Sequence, residues 1–377
     1  MKIMINALSA RLGGGQTYLI NLLRRFPSQG TEQCYVLGPR SLQETIGQAG
    51  LQWLSPGWPL ENPIVRALWE RFFLPRIVRR LGIDILFCPG GVVTTPVPSG
   101  CKVVTMFRNM IPFDRVQRKR YPLGYMRVRI WLLERVMLRS MLRADVVIFV
   151  SDFARRVIEQ RVPECIKRAV VIPHGVGPEF RVGSVRAQRP GWLPAGDYLL
   201  YVSTFDVYKA QLEVVRGFSL LKARRGGTER LVLVGSERQN PNYSSKVRAE
   251  IMRLGLEKDV NIVGLVPYQD LPGVYQNALI NIFAAESENC PNILLEAMAA
   301  GRPVVSSNFS PMPEFGGDAV VYFNPQEPQD FADKVGKILD DPSALRTFGQ
   351  RAAERALRYD WEAAAATTWQ TIFGVAA

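Results

Sequence analysis

Two carboxylates, Glu288 and Glu296, stand eight positions apart in the stretch "ESENCPNILLEAMAAGRPVV", residues 286–305. Between them Cys290, Pro291 and Asn292 break any helix, and an apolar run then builds one. The pattern predicts a buried strand at Leu279–Ala284, a loop over Glu286–Pro291, and a helix from about Asn292 that Gly301 stops before Pro303. The first N–H groups of such a helix point outward unpaired, and its dipole adds partial positive charge there, which suits a diphosphate. Glu296 leans back toward that helix start. There it can accept hydrogen bonds from two ribose hydroxyls, and Glu288 in the loop can do the same for hydroxyls of a sugar. Together they suit a nucleotide diphosphate sugar lying across the helix start.

Such a loop and helix need a sheet behind them. Short β-branched runs recur at Lys2–Leu8, Cys34–Leu37, Ile83–Cys88, Lys102–Phe107, Asp145–Val150 and Val170–Pro173. Six more follow at Tyr198–Ser203, Leu231–Val234, Val260–Leu265, Leu279–Ala284, Pro303–Ser306 and Ala319–Phe323. Their alternation with helical segments predicts an α/β protein of two doubly wound, Rossmann-like domains, with ligand crevices at the strands' carboxyl ends. The expected division is residues 1–173, a Gly- and Pro-rich linker at 174–197, a second domain at 198–355, and a C-terminal helix at 356–377 that packs back on the first. A cleft between the two domains is expected to hold the site.

The 377 residues carry a net charge of +13, and that charge is uneven. Residues 108–143 hold nine Arg and one Lys against Asp114 and Glu134, and residues 66–80 hold five Arg against Glu70. Such patches either seek anions or form solvated helix faces. Arg135, Arg139 and Arg143 recur every four residues beside Trp131, Leu132, Met137, Leu138 and Met141, which reads as an interfacial membrane helix or as domain core. No stretch reaches 18 uninterrupted apolar residues, so no transmembrane helix is predicted. The N-terminus reads as a first strand and not as a signal peptide. Cys34, Cys88, Cys101, Cys165 and Cys290 form no C-x-x-C pair and fit reduced thiols in a cytosol. No His, Cys and Asp cluster and no D-x-D pair offers metal geometry.

The spaced glutamates followed by "AMAAGRPVV" resemble the signature of glycosyltransferase family 4, retaining enzymes of GT-B fold. Further segments resemble that family along most of the chain: "RLGGGQTYLINLL", "VSDFARRVI", "VIPHGV", "YVSTFDVYKAQ", "GLVPYQDLPGVYQNALINIFAA", "PEFGGDAVVYFNP" and "YDWEAAAATTW". The resemblance implies that Glu296 holds the ribose and that Glu288 faces the donor sugar. It places the N–H groups of Asn292 and Ile293 near the phosphates, Lys209 on the diphosphate, and the Val266 backbone on the base. Ser203, Thr204, Gly235, Cys290 and Pro291 are expected to complete the donor site. Gly13, Gly14, Gly15 and Gln16 are expected to approach phosphate or acceptor.

Three departures stand out. Arg108 occupies the position where the family usually has His. Tyr208 precedes Lys209, in a loop that reads Thr204, Phe205, Asp206, where many members carry a second cation. His174, the only histidine, stands where Asn is usual. Arg108 is expected either to stabilise the leaving diphosphate as a third catalytic group with Glu288 and Lys209, or to have drifted.

The reading is therefore a cytosolic, metal-independent retaining glycosyltransferase that needs no cofactor. Its donor would be a UDP- or GDP-sugar, and its acceptor a saccharide or lipid-linked precursor met at the inner face of an anionic membrane. The alternatives are a nucleotide-sugar epimerase or hydrolase on the same fold and, suggested by charge alone, a nucleic-acid-binding protein. The epimerase needs an acid and base that the histidine-poor cleft lacks. Nucleic-acid binding lacks the interleaved aromatics of a stacking surface.

Overall fold

The computed structural model describes every residue except 11–12, 28–29, 48–49, 122–123, 184–187 and 376–377. The start of the glycine-rich segment, residue 123 before the basic helix, and part of the 174–197 linker therefore lie outside the described residues. The chain divides into two compact units, Met1–His174 with Trp361–Ala377, and Gly175–Asp360.

The first unit holds strands β1 (Lys2–Asn6), β2 (Gln33–Leu37), β3 (Leu51–Leu54), β4 (Ile85–Cys88), β5 (Lys102–Phe107), β6 (Val146–Phe149) and β7 (Ala169–Val171). They form one parallel sheet in the order β3-β2-β1-β4-β5-β6-β7. The central strands are apolar without alternation because helices cover both faces: Ile3, Met4 and Ile5 on β1, and Ile85, Leu86 and Phe87 on β4, are completely buried. Strand β3 escapes the sequence reading. Its "LQWL" has no β-branched residue and exposes Gln52, as an edge strand paired on one side can.

The second unit holds β8 (Tyr198–Val202), β9 (Arg230–Val234), β10 (Val260–Gly264), β11 (Ile280–Phe283), β12 (Val304–Ser307) and β13 (Val321–Phe323). Its parallel order is β10-β9-β8-β11-β12-β13. Both sheets reverse direction of build once, between β1 and β4 and between β8 and β11. Connections leaving those neighbouring strands go to opposite faces, so a crevice opens beyond their carboxyl ends.

The Gly- and Pro-rich segment that opens the second unit is anchored, since Phe180 and Leu193 lie in that unit's core. The helix Pro342–Ala356 also belongs to the second unit. Only the last helix, Trp361–Phe373, joins the first. There Trp369 meets the Phe26 ring edge-on at 5.0 Å, and its indole N–H donates to the Leu22 carbonyl at 3.1 Å.

Candidate functional site

The β8–β11 reversal gathers most of the singled-out residues. Beyond β8 the chain passes through Ser203 and Thr204, buries Phe205 completely, and turns at Asp206. The Asp206 carboxylate accepts from the Val207 N–H at 2.7 Å and from the Asn240 side chain at 3.2 Å. A short 3₁₀ turn, Val207–Lys209, follows, and Ala210 then takes a left-handed φ of 55° before the helix Gln211–Arg225. A left-handed alanine costs about 1 kcal/mol or more, and local bonds hold it in place. The Tyr201 hydroxyl donates to the Lys209 carbonyl at 2.6 Å, and Gln211 donates to the Thr204 carbonyl at 2.9 Å. Gly235, at the end of β9, lies so close to this strand end that a Cβ there would sit 1.9 Å from the Ser203 carbonyl oxygen. Gly235 thus lets two strand ends meet.

The turn aims Lys209 into the loop after β11. Its side chain is only 8% exposed and forms an ion pair with Glu288, itself 19% exposed. The Nζ lies 5.1 Å from the Tyr208 ring centre and 5.9 Å from that of Phe283, so aromatic faces supplement the carboxylate. The Glu286 N–H donates to the Tyr208 carbonyl at 2.8 Å and ties the two loops together. Lys209 and Glu288 sit 79 positions apart in sequence, and their pair is visible only in the fold.

From Pro291 the chain enters the helix Asn292–Ala299, and Gly301 ends it as the sequence predicts. The Asn292 N–H donates to the Cys290 carbonyl at 3.0 Å. The N–H groups of Ile293 and Leu294, in the first turn, have no acceptor further back in the helix. Pro291 is buried, whereas Cys290 and Ile293 are partly buried and pack on the second unit's core. Glu296, on the second turn, is half-buried, and desolvation raises its pKa to about 8. The Tyr275 hydroxyl, 3.3 Å away, donates to it and opposes that rise, while nearby Glu179 adds to it. Burial also holds the Tyr275 hydroxyl far above its ordinary pKa, so it stays a donor. Sequence reasoning missed Tyr275, because nothing in "GVYQNALINIF" marks a tyrosine that reaches a glutamate 21 positions on. Val266 follows β10, which β9 and β8 separate from β11, and is partly buried.

The first unit carries a second arrangement at its own reversal. Gly13, with a φ of 65°, precedes the helix Gly14–Leu23, which has no side-chain cap, and the Gln16 N–H closes back on the Gly13 carbonyl at 2.9 Å. Arg108, just past β5, stacks over Tyr18 with its guanidinium carbon 5.5 Å from the ring centre. It lies so near that a Cβ on Gly15 would sit 3.0 Å from a guanidinium nitrogen. Arg108 is thus a cation at an open helix start. His174 is buried between the Tyr18 and Trp361 rings, at 5.2 and 5.4 Å, and acts as packing.

Two doubly wound units, with a cation and an open helix start at each reversal, define a protein of the GT-B class. Residues 12–180 match the Glycosyltransferase Family 4 model, and residues 188–355 match Glycosyl transferases group 1. The chain belongs to glycosyltransferase family 4. Over 200 residues it is 31% identical to D-inositol 3-phosphate glycosyltransferase 2 of Catenulispora acidiphila, covering 50% of this chain and 46% of that protein. Over 239 residues it is 23% identical to O-antigen chain mannosyltransferase B of Escherichia coli, 62% of each chain. The chain thus spans about half to three-fifths of the length of these curated relatives. The structure of Anabaena HepE in complex with UDP-glucose superposes with a TM-score of 0.74 at 16% identity, covering 99% of this chain and 100% of that one.

The ion pair yields a prediction about stability. Lys209→Met leaves a carboxylate facing a dry loop and should cost roughly 3–5 kcal/mol. The double variant Lys209→Met with Glu288→Gln should lose less than the single. Chemical denaturation of the wild type, Lys209→Met, Glu288→Gln and the double variant measures the coupling. Equal losses in the single and double variants would mean the pair is not held as described.

Proposed function

We propose that the protein is a retaining glycosyltransferase that moves a sugar from a UDP- or GDP-sugar to a hydroxyl of a lipid-linked saccharide. One observation carries this reading: the Lys209–Glu288 pair stands beside the open start of helix Asn292–Ala299, with Glu296 one turn further on. The relatives support the glycosyl-transfer part of it, since one is named a D-inositol 3-phosphate glycosyltransferase and another an O-antigen chain mannosyltransferase. Of the solved structures, HepE holds UDP-glucose.

In this reading the diphosphate lies over the Ile293 and Leu294 N–H groups and draws the Lys209 ammonium from Glu288. Glu288 is then released to accept from hydroxyls of the donor sugar. The bond from the anomeric carbon to the phosphate oxygen breaks, and the acceptor oxygen bonds to the same face. The acceptor proton passes to the departing phosphate oxygen, so the products are a glycoside and a nucleoside diphosphate. The protein's work is positioning and stabilising charge on the leaving group. With Lys209 and the helix start meeting that charge, no metal is required on this reading. Gly13–Gln16 and Arg108 form the first unit's contribution to phosphate or acceptor.

The basic surface supports adding to this reading a contact with an anionic membrane at the inner face of a cell. In the helix Tyr125–Arg143, Met137 and Met141 belong to the core, whereas Arg135, Arg139 and Arg143 are exposed. Tyr125, Val128, Trp131 and Leu132 are exposed on the same helix, and the Arg135 guanidinium stacks 3.7 Å over Trp131. Glu134 is occupied by Arg118 and Arg161, so it does not offset the outer arginines. Each basic residue near an anionic bilayer contributes about 1 kcal/mol. No described helix is long and apolar enough to cross a membrane.

Donor binding should depend on pH through Glu296. Ribose hydroxyls donate to its carboxylate, yet desolvation raises its pKa to about 8 in the empty protein. Binding below that pH must expel a proton. UDP or GDP affinity by calorimetry should therefore rise with pH, approaching tenfold per unit below about 8, and level off above it. Glu296→Gln should bind weakly and with little pH dependence. A wild-type affinity that is flat between pH 6 and 8, or unchanged in the variant, contradicts the assignment.

Membrane contact is checked by sedimentation with phosphatidylglycerol vesicles. The protein should pellet at low salt and release near roughly 0.5 M NaCl, where the Debye length falls below about 5 Å. Reversing charge at Arg135, Arg139 and Arg143 should weaken pelleting and leave nucleotide affinity unchanged. Protein that stays in the supernatant at low salt rules the contact out.

A further inference from the structure

A cavity of about 530 Å³ opens at the carboxyl ends of β1, β2 and β3 in the first unit, lined by none of the residues assigned above. Its chemistry is mixed. Arg40 and Ser41 line it from beyond β2, and Ser55, Trp58 and Glu61 from beyond β3. Trp58 is 54% exposed, yet its ring meets Phe73 with centroids 5.6 Å apart. An indole packed at one side and open at the other is a platform for the C–H face of a sugar ring, and the polar neighbours suit its hydroxyls.

The helix Pro63–Phe72 begins two residues after Glu61, and the Asn62 side chain caps it by accepting from the Ile64 N–H at 2.8 Å. Ile64, Leu68 and Phe72 recur every four residues and are 67%, 54% and 59% exposed. This apolar row cannot roll inward, because the opposite face is committed. Trp69 is buried there, and buried Glu70 accepts from Asn6 at 2.9 Å and from Thr94 at 2.8 Å. Arg71, Arg76, Arg79 and Arg80 are exposed along the same stretch. A sugar-sized cavity with an aromatic wall is thus followed directly along the chain by an exposed apolar row and by exposed arginines.

We infer that this cavity holds the acceptor's sugar against Trp58, and that the Ile64, Leu68 and Phe72 row seats the acceptor's lipid portion, with the arginines facing its anionic head. The inference rests on the glycosyltransferase reading and gives that acceptor its class and place.

The test uses the full chain labelled with 5-fluorotryptophan, the Trp58 resonance being assigned with Trp58→Phe among seven tryptophans. Octyl glycosides of glucose, galactose and mannose are titrated below their micelle concentration, beside the free sugars and octylphosphocholine. The Trp58 signal should shift saturably with at least one octyl glycoside, and with its free sugar only at tenfold or higher concentration. Leu68→Asp, at an exposed site, should weaken the glycoside at least tenfold and leave the free-sugar response intact. An equal response to octylphosphocholine would reduce the surface to an apolar patch and overturn the sugar subsite. A silent Trp58 in a protein that still binds UDP or GDP by calorimetry overturns this inference alone. A protein that binds neither nucleotide overturns the glycosyltransferase reading itself.

Discussion

A lysine ammonium held almost out of water governs how the second unit is built. Burying the Lys209 charge carries a desolvation cost of several kcal/mol, which only close opposite charge and polarisable neighbours offset. Glu288 supplies the charge, and the Tyr208 and Phe283 ring faces lie alongside. Keeping that geometry requires the loops after β8 and β11 to stay in register. The Glu286–Tyr208 backbone bond, the Tyr201 bond to the Lys209 carbonyl and the left-handed Ala210 all serve it. On the proposed reading, a diphosphate arriving at the helix start meets an ammonium already desolvated and displaces a carboxylate from it.

Glu296 answers the same constraint differently. Glu288 is paired with a cation, whereas Glu296 accepts from the Tyr275 hydroxyl and burial favours its proton. Two glutamates eight positions apart thus sit in opposite electrostatic settings on one loop and helix. On the proposed reading this separates their work. One carboxylate exchanges partners as the diphosphate enters, and the other loses a proton as hydroxyls arrive.

Both units share a strand order, so both carry a crevice beyond a reversal, but they furnish it unlike each other. The second unit surrounds its cation with carboxylate and aromatic rings. The first leaves Arg108 over Tyr18 beside an uncapped helix and opens a neighbouring cavity walled by Trp58.

Much of the fold was legible because it rests on local rules. Parallel strands buried on both faces must be apolar runs, and twelve of the thirteen strands among the described residues announce themselves that way. Edge strand β3 does not, since pairing on one side tolerates Gln52. The helix from Asn292 to its Gly301 stop, the open turn at Gly13, and the candidate roles of Glu288, Glu296 and Lys209 also come from spacing and residue type or from the resemblance these carry. The partnerships lay beyond reach of the chain read in order. Lys209 with Glu288, Tyr275 with Glu296, Arg108 with Tyr18 and Gly15, and Trp58 with Phe73 join residues that local periodicity cannot relate. The sorting of one helix into core Met137 and Met141 and exposed Trp131 and Leu132 was equally hidden. Burial, and with it the charge state of a carboxyl or the openness of an indole, depends on what distant segments pack around a side chain, and only the tertiary structure decides that.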